Sequence, residues 1–396
     1  MRFPQIAVLL VAILVAPAAA QQSANPVTQH YRAYRAALER GDLAMADTEA
    51  TAALEAAQLD PHSTGTVAAL AMNVALVRLS EGHRDQALAP AQLAASLAGN
   101  AQSHVDPLAV DIALKRAALQ PGNQSEAQLL AALTAGRAHG GLDEYVYDGA
   151  SDLGGWAYQQ HHLRTTADAW RLASQSSAGD SDAAVLSRAR ALLGLGVVLF
   201  QMDQASTPGH VAMFDSQVST TNSEYRPNID SIENLAEAAR ISRPLAARAS
   251  ASGAMTQAQQ VFSRATVFFL AAQSRAATYH VPDSVLEDRP FDHFLAIAVG
   301  ANTSRCTVRI APDATPEYPT HADYDGHVGA VMVRVVVDDA GHASDARLVA
   351  SVGGEEFTQA VERVLPRWRV VRLPDAPANC GMAMTLFSPV VFRLPD

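Results

Sequence analysis

Four positions recur at an almost constant distance. Gly41, Gly82, Gly122 and His162 stand 41, 40 and 40 residues apart, and each is followed five residues later by an alanine: Ala46, Ala87, Ala127 and Ala167. Seven residues further on come Ala53, Ala94, Thr134 and Ser174, all small. Around these positions, from Ala24 to about Gly300, alanine and leucine return every three or four residues, the period of helices with one buried face. The first position of each set fits the tight turn between two antiparallel helices, where glycine adopts a left-handed backbone without strain. The small residues fit the places where those helices cross closely, since a larger side chain would hold them apart. Recurrence at a fixed period points to helix hairpins that bury their apolar faces by stacking on one another.

This spacing resembles the tetratricopeptide repeat. The turn glycine, the alanine five later and the small residue twelve later match positions of that motif, and Asn73-Val74-Ala75-Leu76 ahead of Gly82 resembles its first helix. The period here is longer than the motif's, which is about 34 residues. The resemblance implies a curved array with a concave face that binds peptides or other proteins. Beyond Leu199 the repeat is lost. Gln204 to Ile229 reads as a long loop. Helices resume at Asp230, capped with Glu233, and run over Ile232–Ser250, Met255–Thr278 and Phe291–Val299, with a kink expected at Pro244. Gly300–Ser304 reads as a domain boundary, so the expected divisions are 1–20, 21–303 and 304–396.

Composition narrows the function. The formal charge is -11, Lys115 is the only lysine, and the arginines do not cluster, which excludes a nucleic-acid partner. Arg2, the apolar run Ile6–Val15 and the small residues Ala18-Ala19-Ala20 form a signal peptide that would leave Gln21 as the new amino terminus; the alternative is an uncleaved membrane anchor. No Gly-x-Ser-x-Gly elbow, His-Glu-x-x-His pair or phosphate-binding glycine loop occurs, so no enzymatic activity and no cofactor are expected. His161 and His162 are adjacent and would point about 100° apart on a helix, which suits a turn rather than a metal site. Asp323-Tyr324-Asp325-Gly326 lacks the later ligands of a calcium loop and reads as a solvated turn. Cys306 and Cys380 are the only cysteines, and an isolated pair in an exported protein reads as a disulfide.

From about Cys306 the apolar period becomes two. Val331, Val333, Val335 and Val337 face one way, with Met332 and Arg334 opposite. Asp338 to Gly341 is a hairpin turn, followed by a strand over His342–Ser351, an amphipathic helix from Glu355 to about Leu365, an extended segment over Arg369–Leu373 and a last strand over Met382–Leu394. The fold class is therefore a helical-hairpin array followed by a small α+β domain.

Within that domain, Pro316-Glu317-Tyr318-Pro319, Ala322, Gly329-Ala330-Val331, the valine run, the 338–341 turn, Ser351, Trp368 and Phe392-Arg393-Leu394 stand in an order and spacing that resembles the carboxyl-terminal domain of TonB-type energy transducers. The resemblance covers about 316–394. It implies a periplasmic, helix-covered antiparallel sheet that grips a short extended peptide of an outer-membrane receptor. A standard transducer carries an amino-terminal membrane helix and a Pro-rich spacer; this chain carries helical repeats instead. The expected function is thus a non-enzymatic periplasmic adaptor with protein partners, an outer-membrane receptor among them, that touches the membrane only through a partner or an uncleaved amino terminus. The alternative is a genuine inner-membrane energy transducer. Candidate partner-binding residues are Tyr318 and Pro319, for which packing on their own domain is the competing reading, and Thr385, Phe387 and Val391 on the last strand. Pro389, which cannot donate to a ladder, is expected at a sheet edge or a bulge, where it either leaves one side free for a partner strand or protects that edge from aggregation.

Overall fold

The structure is a computed structural model that describes residues 25–60, 63–100, 103–177, 179–205, 227–248, 254–276, 297–299, 308–310, 316–320, 322, 327–338, 340, 342–372, 374 and 380–392. The segment 1–20, most of the 204–229 loop, Cys306 and the 323–326 turn lie outside these residues. The chain divides into two compact units, Met1–Ala178 and Gly179–Asp396.

The first unit is helical: α1 (Pro26–Glu39), α2 (Leu43–Leu59), α3 (Thr64–Glu81), α4 (Arg84–Ala98), α5 (Pro107–Ala117), α6 (Asn123–His139), α7 (Asp143–Gln159) and α8 (Leu163–Ser176). Consecutive helices pack on each other, and α3 also packs on α5, α5 on α7 and α6 on α8. Contacts of this kind, between helices two apart, are what stacking of successive hairpins produces.

The four recurring positions all fall between the two helices of a hairpin. Three of the turns share one geometry. The backbone N–H groups of Asp42, His83 and His162 donate to the carbonyls of Ala37, Arg78 and Ala157, five residues back, at 3.0, 2.8 and 2.9 Å. The residue before each donor is left-handed: Gly41 (φ 71°), Gly82 (φ 82°) and His161 (φ 61°). This is the bonding pattern of a helix that ends on a left-handed residue. His161 therefore takes the glycine's place, one residue ahead of His162.

The phase slips by one residue in the last two hairpins. Ala46, Ala53, Ala87 and Ala94 are fully buried. In the third hairpin, however, Gly122 immediately precedes α6, and Ala127 and Thr134 are exposed while Glu126 and Leu133 are buried. In the fourth, Ala167 is buried, and Ala173 rather than Ser174 fills the contact. The cause is the turn. One residue separates the recurring position from its helix in the first two hairpins and none in the last two. Close approach is met elsewhere by other glycines: a methyl on Gly149 would lie 2.6 Å from Leu133 Cδ2, and one on Gly154 would lie 2.8 Å from the Trp170 ring.

The second unit opens with α9 (Asp182–Ala205), α10 (Pro227–Arg248) and α11 (Gln257–Ala276). Helix α10 begins a turn earlier than Asp230, on Pro227, whose missing N–H costs nothing in a first turn, and it accommodates Pro244 internally. Among the described helices, α9 is long and apolar enough to cross a membrane, and more than half of that apolar window is buried; the core helix of a soluble protein passes the same test.

The sheet follows, with β1 (Ile297–Val299), β3 (Gly329–Val337), β4 (Ala343–Val352) and β6 (Met384–Phe392) in the order β1-β6-β3-β4, every neighbour antiparallel. A second pair joins β2 (Val308–Ile310) to β5 (Val370–Arg372). Helix α12 (Glu355–Val364) connects β4 towards β5. The carboxylate of Asp338 accepts the N–H groups of Ala340 and His342 at 2.9 and 2.8 Å and closes the hairpin; the bond from His342 leads in holding its carboxyl below the usual range.

Both faces of β3 are buried. Val331, Val333, Val335 and Val337 pack with Phe357, Ala360 and Val361 of α12 and with Trp368, Leu386 and Phe392. Ala330, Met332 and Phe387 share the opposite core with α9, α10 and α11, including Phe262, Leu270 and Leu235. The sequence boundary at Gly300–Ser304 thus runs through the second unit, because the sheet's second face is covered by helices that precede it in the chain. Ile297–Val299, expected to end a helix, is a strand instead. Three residues carry no readable period, and pairing with β6 decides their conformation.

Gly353 marks the entry to α12. Its φ is +103°, and a methyl there would lie 2.6 Å from Phe357 Cδ2 and 3.1 Å from the Gly329 backbone. Gly353→Ala is expected to destabilise the protein by about 3 kcal/mol, from left-handed strain and overpacking together. Thermal melts of the two proteins check this, and an unchanged midpoint would refute it.

Candidate functional site

The candidate residues sort onto opposite faces of the sheet. Tyr318 lies on the α12 side. Its ring meets Phe357 edge-on at 5.8 Å and Phe392 at 6.0 Å, and its hydroxyl donates to the His327 carbonyl. Phe357 and Phe392 are themselves 4.9 Å apart. Tyr318 thus anchors the segment leading into β3, and Pro319 beside it is half-buried.

Thr385, Phe387 and Val391 face the other way. In the antiparallel register they oppose Val336, Arg334 and Ala330 on β3. Directly opposed residues share a face, and this is the face covered by α9–α11. Thr385 and Phe387 are each 1% exposed, and Val391 packs against the same core. The outer main-chain edge at Thr385–Phe387 is paired with β1, as Val299↔Thr385, Ala298↔Leu386 and Ile297↔Phe387. Beyond Phe387, no strand among the described residues pairs with the outer side of Ser388 to Phe392. Pro389 sits within this stretch, opposite Met332.

The two outer edges of the described sheet differ. On the β4 side the ladder with β3 shifts register twice, between Met332 and Val333 and between Val336 and Val337. Such bulges twist an edge away from further pairing. The β3–β6 ladder runs in unbroken register over nine pairs.

Cys380 is buried in the α12-side core, and its carbonyl accepts from Arg372 Nη2 at 3.4 Å. Arg372 opposes Val308, two residues after Cys306. Cys306 itself lies outside the described residues.

A second cluster, not anticipated from the sequence, lies in the first unit. Glu144, Asp148 and Asp152 recur every fourth residue and so line one face of α7. Buried Arg116 of α5 donates to Asp152 Oδ2 through Nε and Nη2 at 3.1 and 2.8 Å. One guanidinium serves Asp152 and Asp148, and Glu144 has no such cation beside it among the described residues. Burial pushes Asp148 up to about 6, against the pull of Arg116, and pushes Glu144 up to about 7, aided by the charge on Asp148. Glu144 Oε1 is buried without a hydrogen-bond partner among the described residues. The four-residue spacing was the available signal, but on a helix it is also the spacing of an ordinary solvated face. No group of three or more His, Cys, Asp or Glu suited to a metal ion occurs among the described residues.

From Pro316 to Phe392 the described structure is an antiparallel sheet with α12 packed on one face. Residues 314–394 match the family model for the Gram-negative bacterial TonB protein C-terminal, and the chain carries that domain at this position. The family is one of envelope proteins that act in protein interaction and energy transduction, and its domain is a non-enzymatic binding domain. No curated protein and no solved structure matches the chain.

Proposed function

We propose that the protein is a periplasmic adaptor that joins an envelope partner, such as an outer-membrane receptor, through its TonB-type domain and a second protein through its tetratricopeptide-like helical hairpins. The observation that carries this reading is the outer edge of β6. It is a regular nine-residue strand in a domain of a peptide-gripping family, and among the described residues three of its positions meet a neighbouring strand on that side. Strand addition draws affinity from main-chain hydrogen bonds, so it does not require Thr385, Phe387 and Val391 to leave their core. Tyr318 and Pro319 support the edge by fixing the aromatic cluster against which β6 ends.

The test is photo-cross-linking in a Gram-negative host from a reactive residue placed at Ser388 or Val390. Adducts with an outer-membrane or other envelope protein support the adaptor. Adducts with this chain alone would overturn it. Amino-terminal sequencing of the same material separates the readings of the leader: Gln21 fits a released periplasmic protein, and a retained Met1 in the inner-membrane fraction fits a transducer.

The periplasmic placement also calls for the Cys306–Cys380 disulfide, a 74-residue separation in sequence. Support comes from Cys380 lying beside Arg372, which pairs with the strand just after Cys306. Closing a loop of that length is worth roughly 4 kcal/mol by chain entropy. Thiol labelling of the denatured, unreduced protein is expected to find no free thiol; two free thiols would exclude the bond.

A further inference from the structure

We infer that Arg363, Arg367 and Arg369 form a contact surface for an extended acidic segment of a partner protein, one with carboxylates on alternate residues. The inference goes beyond the adaptor reading: it rests on the domain's being a protein binder and not on the edge of β6. The arginines are scattered through most of the chain, but Arg363, Arg367, Arg369 and Arg372 fall within ten residues that hold no acidic residue, so the expectation that they do not cluster fails here. All four are exposed. Arg372 is already engaged, donating through Nη2 to the Cys380 carbonyl at 3.4 Å. The other three make no ion pair, hydrogen bond or ring contact among the described residues.

Local structure puts the three side by side. Arg363 stands in the last turn of α12, and Arg367 closes the 3-10 turn Leu365–Arg367 that prolongs it. Residues four apart at a helix end are neighbours, with Cβ atoms about 5–6 Å apart. Trp368 is extended, at φ -67° and ψ 131°, and is buried in the α12-side core. Burying it turns its two neighbours, Arg367 and Arg369, outward together, about 6–7 Å apart as alternate residues of an extended chain. The three arginines thus follow one another at nearly the spacing of alternate side chains on a strand.

The isolated chain gains nothing from this arrangement. Like charges one turn apart on a helix repel. Acidic residues outnumber basic ones by 40 to 29, and elsewhere in the chain they are used: Arg78 pairs with Asp47, and Arg275 with Asp203. The dipole of α12 favours Arg363 at its carboxyl end but does not reach Arg369 in the extended segment. What the patch lacks is an anion from outside. A guanidinium fork matches a carboxylate two bonds at a time, and an extended segment with Asp or Glu at alternate positions sets its carboxylates about 7 Å apart, in step with the three arginines. A bilayer fits less well. Three arginines are too few to hold a chain of net charge -11 at an anionic surface. The exposed large hydrophobic side chains among the described residues, Met45, Leu59 and Tyr158, all lie in the first unit, so the domain has none of these to insert.

The experiment uses the full chain and a fluorescent peptide of four Asp-Gly units, with a peptide of four Asn-Gly units as the uncharged counterpart. At low salt the chain is expected to bind the acidic peptide at least about tenfold more tightly than the amide one, the combined size of three exposed ion pairs. The R363Q/R367Q/R369Q variant is expected to lose that preference. The R32Q/R40Q/R164Q variant, which removes three exposed charges from the first unit, is expected to keep it. No preference by the unaltered chain, an unchanged preference in the first variant, or an equal loss in both would overturn the inference. The first variant is also expected to melt at or slightly above the unaltered midpoint, since like charges are removed; a lower midpoint would make the arginines structural and overturn it as well. Vesicles of phosphatidylethanolamine and phosphatidylglycerol are expected not to sediment with the chain. Sedimentation that the first variant loses would assign the patch to a lipid surface instead. Peptide binding without envelope adducts from Ser388 or Val390 would leave this inference standing and remove the adaptor, and adducts without peptide binding would do the reverse.

Discussion

A chain ending at Ala301 is expected to lose the fold of α9, α10 and α11 while the first unit stays intact. Truncation there removes Ala330, Met332 and Phe387 from the core they share with those helices, and takes away the partly buried Val349, Ala350, Val352 and Val391. Full burial of a side chain such as Met or Phe contributes roughly 1.5–3 kcal/mol. Counting both sides of the contact, the loss is on the order of 5 kcal/mol or more, comparable with the whole stability of a domain, about 5–15 kcal/mol. The three helices alone would present a large apolar surface to water and aggregate or melt. Residues 21–178, by contrast, keep all the contacts of their own unit. Far-ultraviolet circular dichroism with thermal melts of the 21–178, 21–301 and full chains decides the matter. Full helical content and an unchanged melt for 21–301 would refute this expectation and support 303/304 as a folding boundary.

Replacing Glu144 by Gln is expected to stabilise the first unit at pH 8 by about 1–2 kcal/mol and to do almost nothing at pH 5. The Glu144 carboxyl is raised from 4.5 to about 7 by burial, with the Asp148 charge adding to it. Between those values the folded chain holds a proton that the unfolded chain has released. Stability therefore falls as pH rises through the window and is lowest above 7, where a charge stands half-buried without a cation of its own. At about 1.4 kcal/mol for each pKa unit the full effect is roughly 3 kcal/mol, and partial exposure of the group reduces it. Asp148, raised to about 6, adds a fall of the same sign over a lower range, and the substitution leaves that part in place. The measurement is the denaturation midpoint of 21–178 and its variant at pH 5 and pH 8. A variant less stable at pH 8 would show that Glu144 is held by a favourable interaction.

Local signals in the sequence were enough to fix where elements form. The turns at Gly41 and Gly82 are legible because a left-handed residue after a helix selects glycine, and α12 is legible because Phe357, Ala360, Val361 and Val364 fall on one face. The third and fourth turns show the limit of that reading. His161 takes a left-handed backbone that its residue type does not announce, and Gly122 lies at a different place in its turn, so the alanine pattern drifts by a residue. The candidate site divides in the same way. Pro389 marks β6 as unusual for a local reason, the missing N–H. Its register, the β1 strand beside it and the helices over Thr385 and Phe387 come from residues distant in the chain.

The sequence by itself determined the helical hairpins, the switch to strands and the identity of the carboxyl-terminal domain, since each rests on periods and motifs a few residues long. Only the tertiary structure decided that α9–α11 belong with the sheet, that Ile297–Val299 is a strand and that Arg116 is buried against Asp148 and Asp152. Those outcomes depend on which apolar face finds which, and a face's own pattern records that it must be buried but not by what.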